Sequence, residues 1–204
     1  TNIWEYNTAE SGDAFRLTNG DPFAVSIPCS GATIIAVAAP VTGQGSDAWD
    51  AIVSVFYNQL SLGIRNDTGD LQIGINGGFI TGAVAIPNQQ PTVLSLVVGS
   101  DGSYNVYANG ALNMSGSSSP LTSLTPLSQS TGKHIEIGRN GVDGWSCFNG
   151  NIGDVFLYRT NLSDADRTQL EGILYAKYCQ NIPPPPPTGL YLQLQNGQIV
   201  LNWL

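Results

Sequence analysis

Charge is what this chain has least of. Of 204 residues, seven are Lys or Arg and fifteen are Asp or Glu, leaving a formal net charge of −8. A surface so poor in cations offers little to phosphate backbones or anionic headgroups, which argues against nucleic acid and membrane insertion. The single histidine, His134, precludes a His-pair metal site. No Gly-x-Ser-x-Gly elbow, Walker loop or His-Glu-x-x-His helix occurs. No apolar run reaches the ~20 residues needed to span a bilayer; the longest, 32–41 and 93–98, are strand-sized and rich in β-branched residues. Three cysteines, Cys29, Cys147 and Cys179, lack metal-ligand spacing and allow at most one internal disulfide.

Sugar hydrolysis is also poorly served. It needs one carboxyl group to protonate the leaving group while another attacks or activates water. Glu136 stands alone between Ile135 and Ile137, and Glu5 and Glu10 lie in an N-terminal segment read as loop. The expectation is a protein that is not an enzyme.

What the chain has instead is Gly, Ser, Asn and Thr, the composition of many short strands joined by tight turns. Segments 23–27, 33–38, 52–57, 60–65, 71–75, 92–98, 104–108, 135–138 and 150–158 are β-branched or aromatic and bounded by turn residues. Asn109-Gly110 and Asp101-Gly102 supply the positive φ angles of tight hairpins. Residues 116–132 read as a Ser/Thr/Pro-rich surface loop.

One helix is marked. Ser163 is an N-cap candidate with Asp166 three residues on, a capping-box variant. Leu170, Ile173, Leu174 and Tyr178 then share a face at helical spacing, with Lys177 near the C-terminal end. The fold class expected is all-β: an antiparallel β-sandwich with one C-terminal helix as a clasp. Five prolines at 183–187 form a stiff spacer. Beyond it, strands 190–194 and 198–203 flank Asn196-Gly197 as a hairpin. Two strands alone are marginal in water, so this hairpin opens a second domain or pairs with another surface or subunit.

The segment Ile135-Glu136-Ile137-Gly138-Arg139-Asn140, then Phe148-Asn149-Gly150-Asn151-Ile152-Gly153-Asp154-Val155, then Leu162-Ser163-Asp164-Ala165-Asp166-Arg167 and Leu170-Glu171-Gly172-Ile173-Leu174-Tyr175-Ala176-Lys177-Tyr178, resembles the C-terminal signature of the laminin-G-like, concanavalin A-like jelly-roll superfamily. Tyr107-Ala108-Asn109-Gly110 resembles the hairpin just upstream of that signature. The resemblance implies a jelly-roll domain over 1–180, a linker over 181–188 and, at 189–204, a hairpin similar to the start of a fibronectin type III domain, where Val200-Leu201-Asn202-Trp203 fits the second strand. Its topology implies a Cys147–Cys179 disulfide and a buried free Cys29.

Binding chemistry remains. Trp49 and Trp145 stand in polar loops beside carboxylates, the second within a segment that also holds Asn140 and Asp143. Loop tryptophans with Asn and Asp neighbours suit sugar rings, which stack on aromatic faces and hydrogen-bond to amides and carboxylates. The competing reading is that each anchors its loop on the sandwich edge. Asp67 with Asp70, and Asp47 with Asp50, are candidate Ca²⁺ ligands, although ordinary turn chemistry explains them too. Low Lys and Arg content and three Asn-x-Ser/Thr sequons fit an extracellular setting. The expected function is an extracellular adhesion module binding a glycan or surface protein. The alternative is a structural subunit of a virion fibre, decoration layer or filament, forming a homo-oligomer through the C-terminal hairpin.

Overall fold

The computed structural model describes residues 4–7, 14–17, 27–43, 49–56, 58–124, 135–140, 147–180, 190–195 and 198–203. In chain order its strands are β1 (Trp4–Asn7), β2 (Ala14–Leu17), β3 (Ile27–Pro28), β4 (Ala32–Pro40), β5 (Asp50–Val55), β6 (Leu60–Ile64), β7 (Asp70–Ile75) and β8 (Gly78–Ala85). They continue with β9 (Thr92–Val98), β10 (Ser103–Ala108), β11 (Ala111–Ser117), β12 (Ser123–Leu124), β13 (Ile135–Ile137) and β14 (Gly150–Tyr158). Helix α1 (Asp164–Tyr178) follows, then β15 (Leu190–Gln195) and β16 (Gln198–Trp203). A seven-stranded sheet in the order β1-β2-β13-β5-β6-β7-β8 faces a five-stranded sheet in the order β11-β10-β9-β4-β14. Every pairing within them is antiparallel. This is a jelly-roll β-sandwich, with one helix on the outside of the smaller sheet.

All nine residues of β4 are buried. Alternation explains how one strand can hide both faces. Ala32, Ile34, Ala36 and Ala38 join the core between the sheets, with Leu94 and Leu96 of β9 and Leu60, Leu62 and Ile73 of the opposite sheet. Ile35 and Val37 point the other way and join Val93 and Leu174 in a second cluster under α1. Burying each Ile or Leu of this set contributes about 1.5–3 kcal/mol.

The helix begins as its sequence predicts. The Asp166 N–H donates to Ser163 Oγ at 3.2 Å, and the Ser163 hydroxyl donates to Asp166 Oδ2 at 2.6 Å. Its buried face differs from the expected one. Ile173 is 58% exposed, while Arg167 and Glu171 are buried beside Leu174. The seam is 167–170–171–174–178: Leu170, Leu174 and Tyr178 stand where the apolar pattern puts them, and Arg167 and Glu171 take the place of Ile173. Arg167 takes the place of an apolar residue because its guanidinium lies 3.6 Å over the Tyr107 ring and binds Glu171 at 2.6 Å. Tyr178 closes the far end over Gly153, where a Cβ would stand 3.0 Å from the Tyr178 ring. Lys177 reaches Asp154 of β14 at 2.7 Å.

Four further expectations change. Strand β8 belongs to the larger sheet, although the sequence reading passes over it. The signal is present in Asn76-Gly77, whose φ values of 51° and 83° match the Asn109-Gly110 turn at 49° and 81°. Asp101-Gly102 is not such a pair, since only Gly102 has positive φ. Asp101 Oδ1 instead accepts from the Ser103 N–H and hydroxyl, an Asx turn. The 116–132 stretch is no free surface loop in its described part. There β12 pairs with β3, and Leu121 and Leu124 are 0% and 1% exposed. Finally, no disulfide joins Cys29, Cys147 and Cys179 among the described residues. Cys147 bridges to Ala51 of the larger sheet, whereas Cys179 packs with the cluster under α1 and its Sγ donates to Pro91 O. The sandwich lies between the two, so the expected Cys147–Cys179 disulfide does not form. Cys29 is half-buried rather than buried.

Strands β15 and β16 pair from Leu190↔Trp203 to Gln195↔Gln198 as a separate two-stranded sheet.

The helix seam can be checked by urea denaturation. Leu174→Ala should cost about 2–4 kcal/mol, and Ile173→Ala should stay within about 0.5 kcal/mol of the parent. Equal losses would restore the seam read from the sequence.

Candidate functional site

The outer face of the seven-stranded sheet is paved with small residues. Successive pairings carry one row across five strands, Glu136–Ser54–Ser61–Gly74–Phe79. A second row runs Ala51–Gly63–Gln72–Thr81. These positions alternate with Val53, Val55, Leu60, Leu62, Ile73 and Ile75 of the core, so they face away from it. Ser, Gly and Ala at the middle of both rows leave room above the sheet for larger polar side chains.

That room is filled by a hydrogen-bonded layer. The Ser54 hydroxyl donates to Asn140 Oδ1, and Asn140 Nδ2 donates to Asn58 Oδ1 at 2.7 Å. Arg139 pairs with Glu136 at 3.3 Å, both 1% exposed. Glu136, the acid flanked by Ile135 and Ile137, is therefore half of a buried ion pair. Trp49 lies against the backbone of Gly63, where a Cβ would be 3.0 Å from its ring and would also collide with Asp50 O. Trp49 is 8% exposed, so it is no open stacking surface. Two buried polar atoms on this face, Trp49 Nε1 and Ser61 Oγ, have no hydrogen-bond partner among the described residues.

The accessible aromatic is Phe79. It is 47% exposed and meets Trp49 edge-on, with centroids 5.0 Å apart and planes at 63°. Such edge-to-face pairs contribute about 0.5–1.5 kcal/mol beyond area burial. Beside it Gln72 Nε2 donates to Thr81 Oγ1 at 2.8 Å, fixing the amide next to the ring. A rigid aromatic with an oriented amide and hydroxyl can hold a flat, hydroxylated ligand.

A concanavalin A-like lectin/glucanases superfamily model matches residues 18–166. The chain belongs to that superfamily. No curated protein sequence matches it. Among solved structures it resembles a heptameric SAP-like pentraxin from Limulus polyphemus (16% identity, TM-score 0.56, covering 98% of this chain and 89% of that one). It also resembles the CBM40 of Ruminococcus gnavus IT-sialidase bound to α2,3 sialyllactose (18%, 0.59, 83% and 96%). A third is domain 4 of an extracellular arabinanase from Geobacillus stearothermophilus in complex with arabinotriose (17%, 0.54, 84% and 81%). At these identities the likeness is one of fold.

Within this superfamily member, the residues singled out from sequence separate. Trp49 and Asn140 lie on the outer face but are buried, whereas buried Asp50 pairs with the core residue Ile64 and its Oδ2 accepts from the Asn149 N–H at 3.4 Å. Trp145, Asp143 and Asp47 lie outside the described residues. Of the residues flanking 141–146, Asn140 binds Ser54 on this face, and Cys147 forms a backbone bridge with Ala51 of β5. Asp67 is gripped by Arg65 through two bonds of 2.9 and 2.6 Å. The Arg65 hydrogen bond holds its carboxyl below the usual carboxylate range. Asp70 takes the Thr68 hydroxyl at 2.7 Å. Among the described residues no group of three or more His, Cys, Asp or Glu side chains converges. Phe79 was missed because its strand was missed.

Asn140 binds within the protein, so Asn140→Ala should lower the unfolding free energy by about 1–3 kcal/mol, the cost of stranding buried polar partners. Unchanged urea stability would return Asn140 to the role of an outward-facing ligand contact.

Proposed function

We propose that this chain is a non-catalytic glycan-binding module of extracellular adhesion type, taking sugar rings on the outer face of its larger sheet. The observation that carries the reading is Phe79: half-exposed, braced by buried Trp49, and flanked by the fixed Gln72–Thr81 pair. Pyranose C–H groups would stack on the ring while the amide and hydroxyl meet sugar hydroxyls. The solved complexes of fold neighbours with sialyllactose and arabinotriose make a sugar the natural first ligand to test. Trp145, which the sequence also singles out, is proposed as a second sugar contact.

A glycan array should show binding by the whole chain. Phe79→Ala should weaken it about tenfold, equivalent to ~1.4 kcal/mol, and Trp145→Ala should weaken it further. Binding that survives both substitutions unchanged would remove this face from consideration.

A second reading is favoured by the separate β15–β16 sheet, a pair of strands that hydrogen-bond to neither sheet of the sandwich. In this reading the hairpin adds to a neighbouring subunit of an assembly, or opens a fibronectin type III-like domain. Sedimentation of the chain with and without residues 182–204 separates the two. Equal, monomeric behaviour would exclude hairpin-driven assembly.

A further inference from the structure

Along β7 the outward-facing residues are Asp70, Gln72 and Gly74, because Leu71, Ile73 and Ile75 point into the core. Thr81 of β8 stands opposite Gln72, and Phe79 lies one outward step along β8 from Thr81. A strip therefore starts at the Phe79 ring, passes the Gln72–Thr81 pair and ends at the Asp70 carboxylate. Each same-face step is about 6.8 Å, so Phe79 and Asp70 stand ~14 Å apart. A ring stacked on Phe79 reaches Gln72 and Thr81, and the next ring of the same glycan reaches Asp70.

The Asp70 end differs from the rest of the strip in charge. Thr68 Oγ1 donates to Asp70 Oδ2 at 2.7 Å and accepts from the Asp70 N–H at 3.3 Å. One carboxylate oxygen is held, and Oδ1 carries no hydrogen bond among the described residues. The neighbouring cation is Arg65, whose backbone N–H donates to the Asp70 carbonyl at 2.8 Å. Its guanidinium is committed to Asp67 through bonds of 2.9 and 2.6 Å. Arg65, Asp67 and Asp70 thus set one positive charge against two negative ones.

The chain has only seven cations to offer. Arg139 is buried against Glu136. Arg16 belongs to β2, five strands from β8 and ~24 Å away at the usual strand spacing. Arg159 follows β14 of the opposite sheet, Arg167 and Lys177 stand on α1, and Lys133 lies outside the described residues.

We infer that the Phe79 face selects neutral oligosaccharides of at least two rings and rejects sugar acids, with Asp70 setting that choice. The inference rests on the glycan-binding reading above and names the class of sugar it leaves open. A neutral sugar's hydroxyl donates to Asp70 Oδ1, a charge-assisted hydrogen bond. A sugar carboxylate at the same place meets like charge and finds the nearest guanidinium already paired. Gln72 and Thr81 are neutral and tolerate either class, so the repulsive element sits at one residue.

The test is calorimetric titration of the whole chain with three disaccharide pairs matched in skeleton and different in charge. They are cellobiose with cellobiouronic acid, galactobiose with digalacturonate, and mannobiose with dimannuronate. In at least one pair the neutral member should bind about tenfold more tightly or better. Asp70→Asn, close to isosteric, should narrow that gap to about twofold. Arg65→Gln should widen it, and costs little stability because the ion pair it removes is exposed. Added salt should strengthen the acidic members alone, by screening the repulsion. An acidic member that binds as tightly as its neutral partner would overturn the inference. So would a gap unchanged by Asp70→Asn, or one narrowed by Arg65→Gln. If none of the six sugars binds, the Phe79-dependent hits of the glycan array decide: acidic hits overturn the inference and neutral hits support it. An array with no Phe79-dependent hit removes the glycan-binding face and this inference together.

Discussion

The two-sided burial of β4 is the constraint on which the rest of the fold depends. One face of the strand must meet the opposite sheet, and the other must be covered, because Ile35 and Val37 cannot be left in water. The helix exists to cover them. Its position follows from the pairing of β4 with β14, whose bulge after Ile152 and whose Gly153 let Tyr178 come down onto the sheet. Leu174 meets the strand pair directly, and the helix start is held by the Ser163 cap. Alanines on the inner face of β4 keep the strand slim where the larger sheet approaches.

The larger sheet has a different arrangement. Nothing helical covers its outer face among the described residues, and a polar layer does so instead. Small residues in the middle of two cross-strand rows admit Asn58, Asn140, Arg139 and Trp49, which satisfy one another or stack. A buried polar layer is demanding, since each unpaired group is costly, and it specifies geometry for the same reason. Trp49 thereby braces Phe79, and only the second of these aromatics remains open. Under the helix, Arg167 and Glu171 repeat the device, using an aromatic face and an ion pair where an apolar seam would have sufficed. Buried ion pairs of this kind fix geometry more than they add stability.

Much of this was legible from the chain. Alternation in 33–38 and 92–98, the Asn109-Gly110 turn, and Ser163 with Asp166 all depend on neighbours in sequence, and each stands in the structure as expected. Strand β8 was equally legible through Asn76-Gly77, but Gly78-Phe79-Ile80-Thr81-Gly82-Ala83-Val84-Ala85 is light in large apolar residues and did not read as a strand. The candidate site was half legible. Trp49 and Asn140 lie on the face that matters, yet sequence could not say that they form its buried layer while Phe79 reaches solvent. The cysteines show the same limit: placing Cys147 and Cys179 on opposite sides of the sandwich requires knowing which sheet each adjoins.

The sequence by itself determined the all-β class, the clasping helix with its cap, the hairpin after the proline run and the scarcity of catalytic groups. Those properties follow from residue type and local period, which act over a few residues. Only the tertiary structure decided which helix face is buried, which aromatic is open and which polar side chains meet. Such outcomes depend on strand register, and register joins residues such as Ser54 and Glu136 that are far apart in the chain. A shift of one residue would turn every one of those side chains to the other face.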